Sequence, residues 1–270
     1  MKCWVNGIEA DSIDIADRGL CYGDGLFETI LVTNGTPHLY NQHILRLGRG
    51  LDRLRFPPET LDLVSAELDR LDLKGDQVLK ITVTRGVGPR GYAPSSGSEP
   101  SRIITLSSYA GNDQHRLTGI NLRLCSQPLG INPQLAQLKH LNRLEQVLAR
   151  GEWSDPDIAE GVMLDVDGYP IEGTMSNIFW VASNKIFTPD LDRCGIQGVM
   201  RDHLISLLRA EGIEVDIGRY NLDDLHLAEE VFVCNSLIGI WPVIQFEAST
   251  YAIGKYTRLL QGLLQKEISS

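Results

Sequence analysis

The chain is 270 residues long and carries 25 Lys and Arg against 35 Asp and Glu, a formal net charge of −10 at pH 7. Its 43% hydrophobic and 22% charged content is ordinary globular composition, which excludes a disordered chain. The acidity excludes nucleic acid as a main partner, because phosphate backbones call for a basic face.

Apolar stretches are all too short to cross a bilayer as a helix, so no membrane partner is expected. The opening residues reach an Asn6-Gly7 turn before any apolar run of a signal peptide. Cys3, Cys21, Cys125, Cys194 and Cys234 are odd in number, widely spread and contain no C-x-x-C, which suits reduced thiols in a cytoplasmic protein.

Along the chain, Cys3–Val5 and Ile8 flank a small hairpin turn, and Leu26–Val32 reads as a strand entering a second turn at Asn34-Gly35. Asn34-Gly35-Thr36 has the form of a glycosylation acceptor but is better read as that turn. Ile44, Leu47, Leu51 and Leu54 recur at helical spacing, as do Leu61, Val64, Leu68 and Leu71. Val78–Thr84 and Ile103–Ser107 are strands, and the polar, aperiodic stretch from Tyr109 reads as a linker. The second half is expected to hold a strand at 120–125, a helix at 141–150 and a hairpin turning at Asp167-Gly168. Strands at 177–181, 185–187 and 229–234 follow, with helices marked by Met200, Leu204, Leu207 and Leu208 and by Leu259, Leu260, Leu263 and Leu264. The pattern predicts an α+β or mixed α/β protein of two domains: a small N-terminal α/β domain at 1–108, a linker at 109–118 and a larger C-terminal domain at 119–270.

Several motifs fail on their context. Gly86-Val87-Gly88-Pro89-Arg90-Gly91 has dinucleotide-loop spacing, but Pro89 and the following Tyr92-Ala93-Pro94-Ser95-Ser96 are loop chemistry rather than a helix start. Asp165-Val166-Asp167-Gly168 lacks the remaining ligands of a calcium loop. The six histidines form no H-E-x-x-H pair, so no metal is expected, and no G-x-S-x-G elbow is present.

One constellation survives. Glu172, then Asn177-Ile178-Phe179, then Thr188, then Gly198-Val199-Met200-Arg201 at a helix start resembles the signature of the class IV pyridoxal 5'-phosphate (PLP) enzymes. That resemblance implies the two-domain, D-amino acid aminotransferase-like architecture known as fold-type IV. A PLP ring is an electron sink only while its nitrogen stays protonated, so a carboxylate must face it, and Glu172 is the candidate. The phosphate calls for helix N-terminal amides, which Val199 and Met200 would supply. Of the seven lysines, at 2, 74, 80, 139, 185, 255 and 266, Lys139 stands out as the residue that would bond PLP covalently and then act as base. It lies in Leu138-Lys139-His140-Leu141-Asn142-Arg143-Leu144, ahead of a helix. His43-Ile44-Leu45-Arg46-Leu47 is similar to a family helix whose Arg reaches the phosphate, which implicates Arg46. Asn235 and Ser236, at a strand end, are further phosphate candidates.

Within the class, the chain most resembles the aminodeoxychorismate lyases. The residues that carry this are Lys139-His140-Leu141-Asn142-Arg143-Leu144-Glu145-Gln146-Val147, the glycine-rich Arg85–Tyr92 loop, Arg18–Gly25 and Val233–Ile238. The resemblance implies a homodimer acting on 4-amino-4-deoxychorismate in folate synthesis. It also points to Thr29 as a hydroxyl assisting proton transfer and to Arg85, Arg90 and Tyr92 as donors to the substrate carboxylates. The alternatives are a class IV aminotransferase for D-amino or branched-chain amino acids on the same scaffold, or a PLP carrier without turnover.

Overall fold

The computed structural model of the chain describes residues 1–94, 97–111 and 113–269. Ser95 and Ser96 of the glycine-rich region and Asn112 of the expected linker lie outside the described residues. Two units divide the chain: Met1–Ala110 with Leu138–Asn142, and Gly111–Gln137 with Arg143–Ser270.

The first unit runs β1 (Lys2–Val5), β2 (Ile8–Glu9), α1 (Arg18–Tyr22), β3 (Gly25–Thr33), β4 (Thr36–Pro37), α2 (Tyr40–Arg53), α3 (Thr60–Leu68), β5 (Gln77–Thr84) and β6 (Ser101–Ser108). Its strands form an antiparallel sheet in the order β2-β1-β6-β5-β3-β4. Asn34 and Gly35 both adopt positive φ, 51° and 81°, which is the turn chemistry that closes the β3–β4 hairpin. Strand β3 alternates as its period of two requires: Leu26, Glu28, Ile30 and Val32 are buried on one face, while Phe27, Thr29 and Leu31 are half-buried on the other. Helix α2 buries His43, Arg46, Leu47, Gly50 and Leu51. A Cβ at Gly50 would press into the Leu26 side chain, so glycine there lets helix and strand approach closely.

The second unit runs α4 (Asp113–Thr118), β7 (Ile120–Leu124), α5 (Leu144–Arg150), β8 (Ile158–Leu164), β9 (Pro170–Gly173), β10 (Asn177–Ala182), β11 (Lys185–Pro189), α6 (Val199–Ala210), β12 (Val215–Gly218), α7 (Leu222–His226), β13 (Glu230–Asn235), β14 (Gly239–Phe246), β15 (Ser249–Thr250) and α8 (Lys255–Ser269). Its mixed sheet has the order β12-β11-β10-β13-β14-β7-β8-β9, with β15 on β14. Ile178, Trp180, Val231, Val233 and Val243 build the core on one side of this sheet.

Two expectations need correction. The segment read as an irregular linker at 109–118 contains helix α4, whose His115 ring packs edge-on against Trp241 at 4.7 Å. Its six residues are too few for a hydrophobic period to show, so only its packing reveals it. The helix expected from Leu141 begins at Leu144 instead, because Leu138–Asn142 groups with the first unit. There Leu26 and His140 form an antiparallel bridge, and Leu141 donates its N–H to Gly25 O at 3.0 Å. Among the described residues, no helix is long and apolar enough to cross a membrane.

Candidate functional site

Lys139 sits on a short extended segment that pairs with the start of β3. Phe27 donates its N–H to Lys139 O at 2.9 Å, and Asn142 Nδ2 donates to Gly23 O at 2.9 Å, so the segment is tied on both sides of the lysine. Lys139 Nζ lies 4.3 Å from the centroid of the Phe27 ring. Phe27 and Thr29 share one face of β3, so the lysine amine and the Thr29 hydroxyl belong to the same face of that strand. The lysine is half-buried, which combines access with a defined position.

On the buried face of β3, Glu28 escaped the sequence reading. Arg46 Nε and Nη2 donate to the two oxygens of Glu28 at 2.7 and 2.5 Å, and His43 Nδ1 lies 2.6 Å from Glu28 Oε2. Burial alone would raise the Glu28 carboxyl, but Arg46 and then His43 outweigh it and hold its pKa at about 2. Burial lowers the His43 pKa; the Glu28 bond opposes that, while the Arg46 and Lys139 charges add to it. Arg46, expected to grip a phosphate, thus has a two-pronged pairing with Glu28. The signal for Glu28 was available: a carboxylate at an inward position of an alternating strand must find a cation.

The glycine-rich loop divides its candidates. Arg85 is buried and consumed by the scaffold: Nε and Nη2 pair with Asp24 at 3.1 to 3.2 Å, Nη1 and Nη2 donate to Arg55 O and Leu54 O, and the guanidinium stacks on Phe56 at 4.1 Å. Arg85 is therefore a structural residue and not the substrate donor expected of it. Arg90 and Tyr92, by contrast, are exposed.

In the second unit, Glu172 on β9 is buried, and its Oε2 accepts the N–H of Ile196 at 2.8 Å. Ile196 belongs to the turn that leads into α6, so carboxylate and helix start are fixed to each other. Asn177, the next signature residue, donates from Nδ2 to Ile196 O at 2.9 Å and clamps the same turn. A Cβ at Gly198 would overlap Asn177 Oδ1, which explains the glycine there. Gly198 is the N-cap of α6 and supplies no side-chain cap, and the first turn opens with Val199 and Met200. First-turn amides without a capping side chain and a buried carboxylate beside them fit a ligand with a phosphate and a protonated ring nitrogen. Arg143 is half-buried near this carboxylate: burial lowers its pKa, and Glu172 and Glu145 counter that.

Glu160 on β8 is a second residue the sequence reading missed. Its carboxylate accepts from Thr174 N and Oγ1 at 3.0 and 2.5 Å, from Met175 N at 3.1 Å and from Ser176 Oγ at 2.8 Å. It thereby shapes the whole turn between Glu172 and Asn177. Asn235 reaches the same turn, donating from Nδ2 to Met175 O at 3.0 Å, while its Oδ1 accepts from Leu237 N and Ile238 N. The Asn235 side chain is thus engaged in shaping the turn, and Ser236 follows it, half-buried. The remaining signature residues are scaffold: Thr188 Oγ1 donates to Ile178 O at 2.9 Å, and buried Arg201 donates from Nη2 to Pro189 O at 3.0 Å. Among the described residues, no cluster of three or more His, Cys, Asp or Glu is placed to hold a metal.

The chain belongs to the amino-transferase class IV family, whose model matches residues 25–246. It is 39% identical over 270 residues to an aminodeoxychorismate lyase of Vibrio harveyi, spanning 97% of this chain and 98% of that one. The solved structure of a 4-amino-4-deoxychorismate lyase from Pseudomonas aeruginosa is 43% identical, with a TM-score of 0.91 over 99% of this chain and 100% of that chain. A putative branched-chain-amino-acid aminotransferase of Methanocaldococcus jannaschii is 30% identical over 275 residues, covering 97% of this chain and 94% of that protein.

Proposed function

We propose that this chain is a PLP-dependent lyase that converts 4-amino-4-deoxychorismate to 4-aminobenzoate and pyruvate, a step of folate synthesis. The observation that carries the reading is Lys139, pinned by its own carbonyl to β3 with its amine over Phe27, in a chain similar along its length to two such lyases. Lys139 would hold the cofactor covalently, Glu172 would face its ring nitrogen, and Val199, Met200, Arg46, Asn235 and Ser236 would hold its phosphate. When bound, PLP supplies an electron sink for negative charge developing on the amine-bearing part of the substrate.

The Lys139 amine takes the proton from the substrate carbon that bears the amino group, and its conjugate acid returns a proton to the departing enolpyruvate. Loss of that group makes the substrate ring aromatic, which drives the reaction without a second keto acid. Thr29, on the Phe27 face of β3, assists the proton transfer with its hydroxyl. Glu172 keeps a proton on the ring nitrogen, aided by the Ile196 N–H that fixes its orientation. Arg90 and Tyr92 serve the substrate carboxylates. The enzyme acts as a homodimer in the cytoplasm.

An aminotransferase on the same scaffold is the second reading, favoured by the similarity to the branched-chain aminotransferase. The two part on the need for a keto acid. The test is turnover of 4-amino-4-deoxychorismate, generated in situ, with none added. Equal release of 4-aminobenzoate and pyruvate supports the lyase; silence, together with keto-acid-dependent amino transfer from ordinary amino acids, moves the chain to the transaminases.

A further inference from the structure

Arg18 is almost wholly buried, yet its guanidinium serves a loop more than 70 residues away in sequence. Nη1 donates to Gly91 O at 2.8 Å and Nη2 to Tyr92 O at 2.9 Å, while Nε pairs with Asp24 Oδ2 at 2.9 Å. One turn along α1, Tyr22 lies under the same guanidinium at 4.9 Å, and its hydroxyl accepts the N–H of Gly91 at 3.2 Å. Tyr22 also meets the Tyr92 ring edge-on at 5.5 Å. Gly91 has φ of +115°, a conformation open to glycine, and among the described residues none but its chain neighbours lies within 4 Å of where its Cβ would be.

Asp24 is common to both ends of this loop. It pairs with Arg85, where the loop leaves β5, and with Arg18, which holds the loop's far end by two consecutive carbonyls. The two guanidinium groups, first by their hydrogen bonds and then by their charge, overcome the effect of burial and hold the Asp24 carboxyl below its ordinary range. The loop is therefore fastened at both ends through one carboxylate, while the side chains of Arg90 and Tyr92 remain exposed.

We infer that Arg18, braced by Asp24, is a positioning residue that fixes the 85–92 loop so that Arg90 and Tyr92 meet the carboxylates of an anionic substrate. The inference rests on the lyase reading for the identity of that substrate. Physically, a planar fork spans two adjacent carbonyls and a carboxylate at once, which a lysine ammonium at the end of a flexible stem does not do. Prior ordering of the loop spares the substrate the entropy of ordering it, so the benefit falls on binding rather than on the chemical step.

The experiment compares Arg18→Lys and the milder Tyr22→Phe with the unaltered holoenzyme. Trypsin cleavage of the Arg90–Gly91 bond, located by mass spectrometry, reads the loop; KM and kcat for 4-amino-4-deoxychorismate and the affinity for chorismate read binding. The expected result for Arg18→Lys is cleavage about tenfold faster, KM and the chorismate Kd raised about tenfold, and kcat within about twofold. Tyr22→Phe, which keeps the fork, moves the same quantities by about threefold and stands in if Arg18→Lys does not fold. Unchanged cleavage, or faster cleavage with unchanged binding of both ligands, overturns the inference. An unaltered enzyme without lyase turnover removes the lyase reading instead, and cleavage together with chorismate affinity still decides this one.

Discussion

The N–H of Phe27 donates to the carbonyl of Lys139 at 2.9 Å, and the ring of the same phenylalanine lies 4.3 Å from the lysine's ammonium nitrogen. One residue of β3 thus fixes both the backbone and the side chain of the proposed catalytic lysine, across 112 positions of sequence. The backbone bond survives any substitution at 27, whereas the ring contact does not. Phe27→Leu is expected to leave the fold and cofactor content intact and to lower turnover about tenfold, since a displaced base loses its alignment. Steady-state kinetics on protein of verified PLP content checks this; full activity would remove the ring from the lysine's placement.

Glu172 offers a test within the second unit. Glu172→Ala removes the carboxylate while the Ile196 turn keeps its Asn177 clamp. The expected outcome is weaker cofactor retention and turnover reduced at least about a hundredfold, the scale of a lost electrostatic partner at a reacting centre. Dialysis against buffer followed by absorbance, with parallel rate measurements, separates the two effects. Unchanged activity would take Glu172 out of the mechanism.

Acid sensitivity follows from the Glu28, His43 and Arg46 cluster. Glu28 is held at about 2 against an ordinary 4.5, and His43 lies below its ordinary 6.5. As pH falls, the unfolded chain takes up protons on both groups before the folded one does, so each transition favours unfolding. Stability from this cluster is complete above 6.5, begins to decline below it as unfolded His43 charges, and falls further between 4.5 and about 2 with Glu28. Glu28→Gln is expected to cost about 3 kcal/mol at neutral pH, because Arg46 loses its buried counter-charge. It also flattens the low-pH part of the profile. Denaturant unfolding across that range is the measurement, and a variant with the unaltered slope would contradict the assignment.

Much of this was legible in the sequence, for identifiable reasons. Strand β3 shows its alternation, α2 its apolar stripe, and the Asn34-Gly35 turn its positive φ, because each is a local pattern with a local cause. The hairpin turning at Asp167-Gly168 and the helix marked by Met200, Leu204, Leu207 and Leu208 form as β8–β9 and α6. The sequence did not disclose local side-chain partners: Thr188 and Arg201 bond to backbone carbonyls of the second unit, and Arg85 is consumed by Asp24 and two carbonyls. Pairing of 139–141 with β3 and the reach of Arg18 to Tyr92 are long-range contacts without periodicity, and so invisible to pattern reading. Glu160 looked like an ordinary acidic residue until its burial showed that it is saturated with donors.

Glu160 should therefore behave as a core residue despite its charge. It is 1% exposed and anchors the backbone or hydroxyl of three successive residues, Thr174, Met175 and Ser176. Glu160→Ala is expected to destabilise the chain by about 3 kcal/mol, from donors left buried without an acceptor. Amide exchange should rise at 174–176 before it rises elsewhere in the unit. A variant with unaltered exchange at those positions would show that the turn holds its shape without the carboxylate.

The proposed roles of Phe27 and Thr29 turn on Lys139 as the residue that carries PLP. Borohydride reduction of the holoenzyme, digestion and peptide mass mapping test that most directly. The account predicts the phosphopyridoxyl label on the peptide containing Lys139 and on no other, and its absence from Lys139→Ala. Label on Lys80, whose amine also lies over the Phe27 ring at 5.4 Å, or on any other lysine, would contradict it.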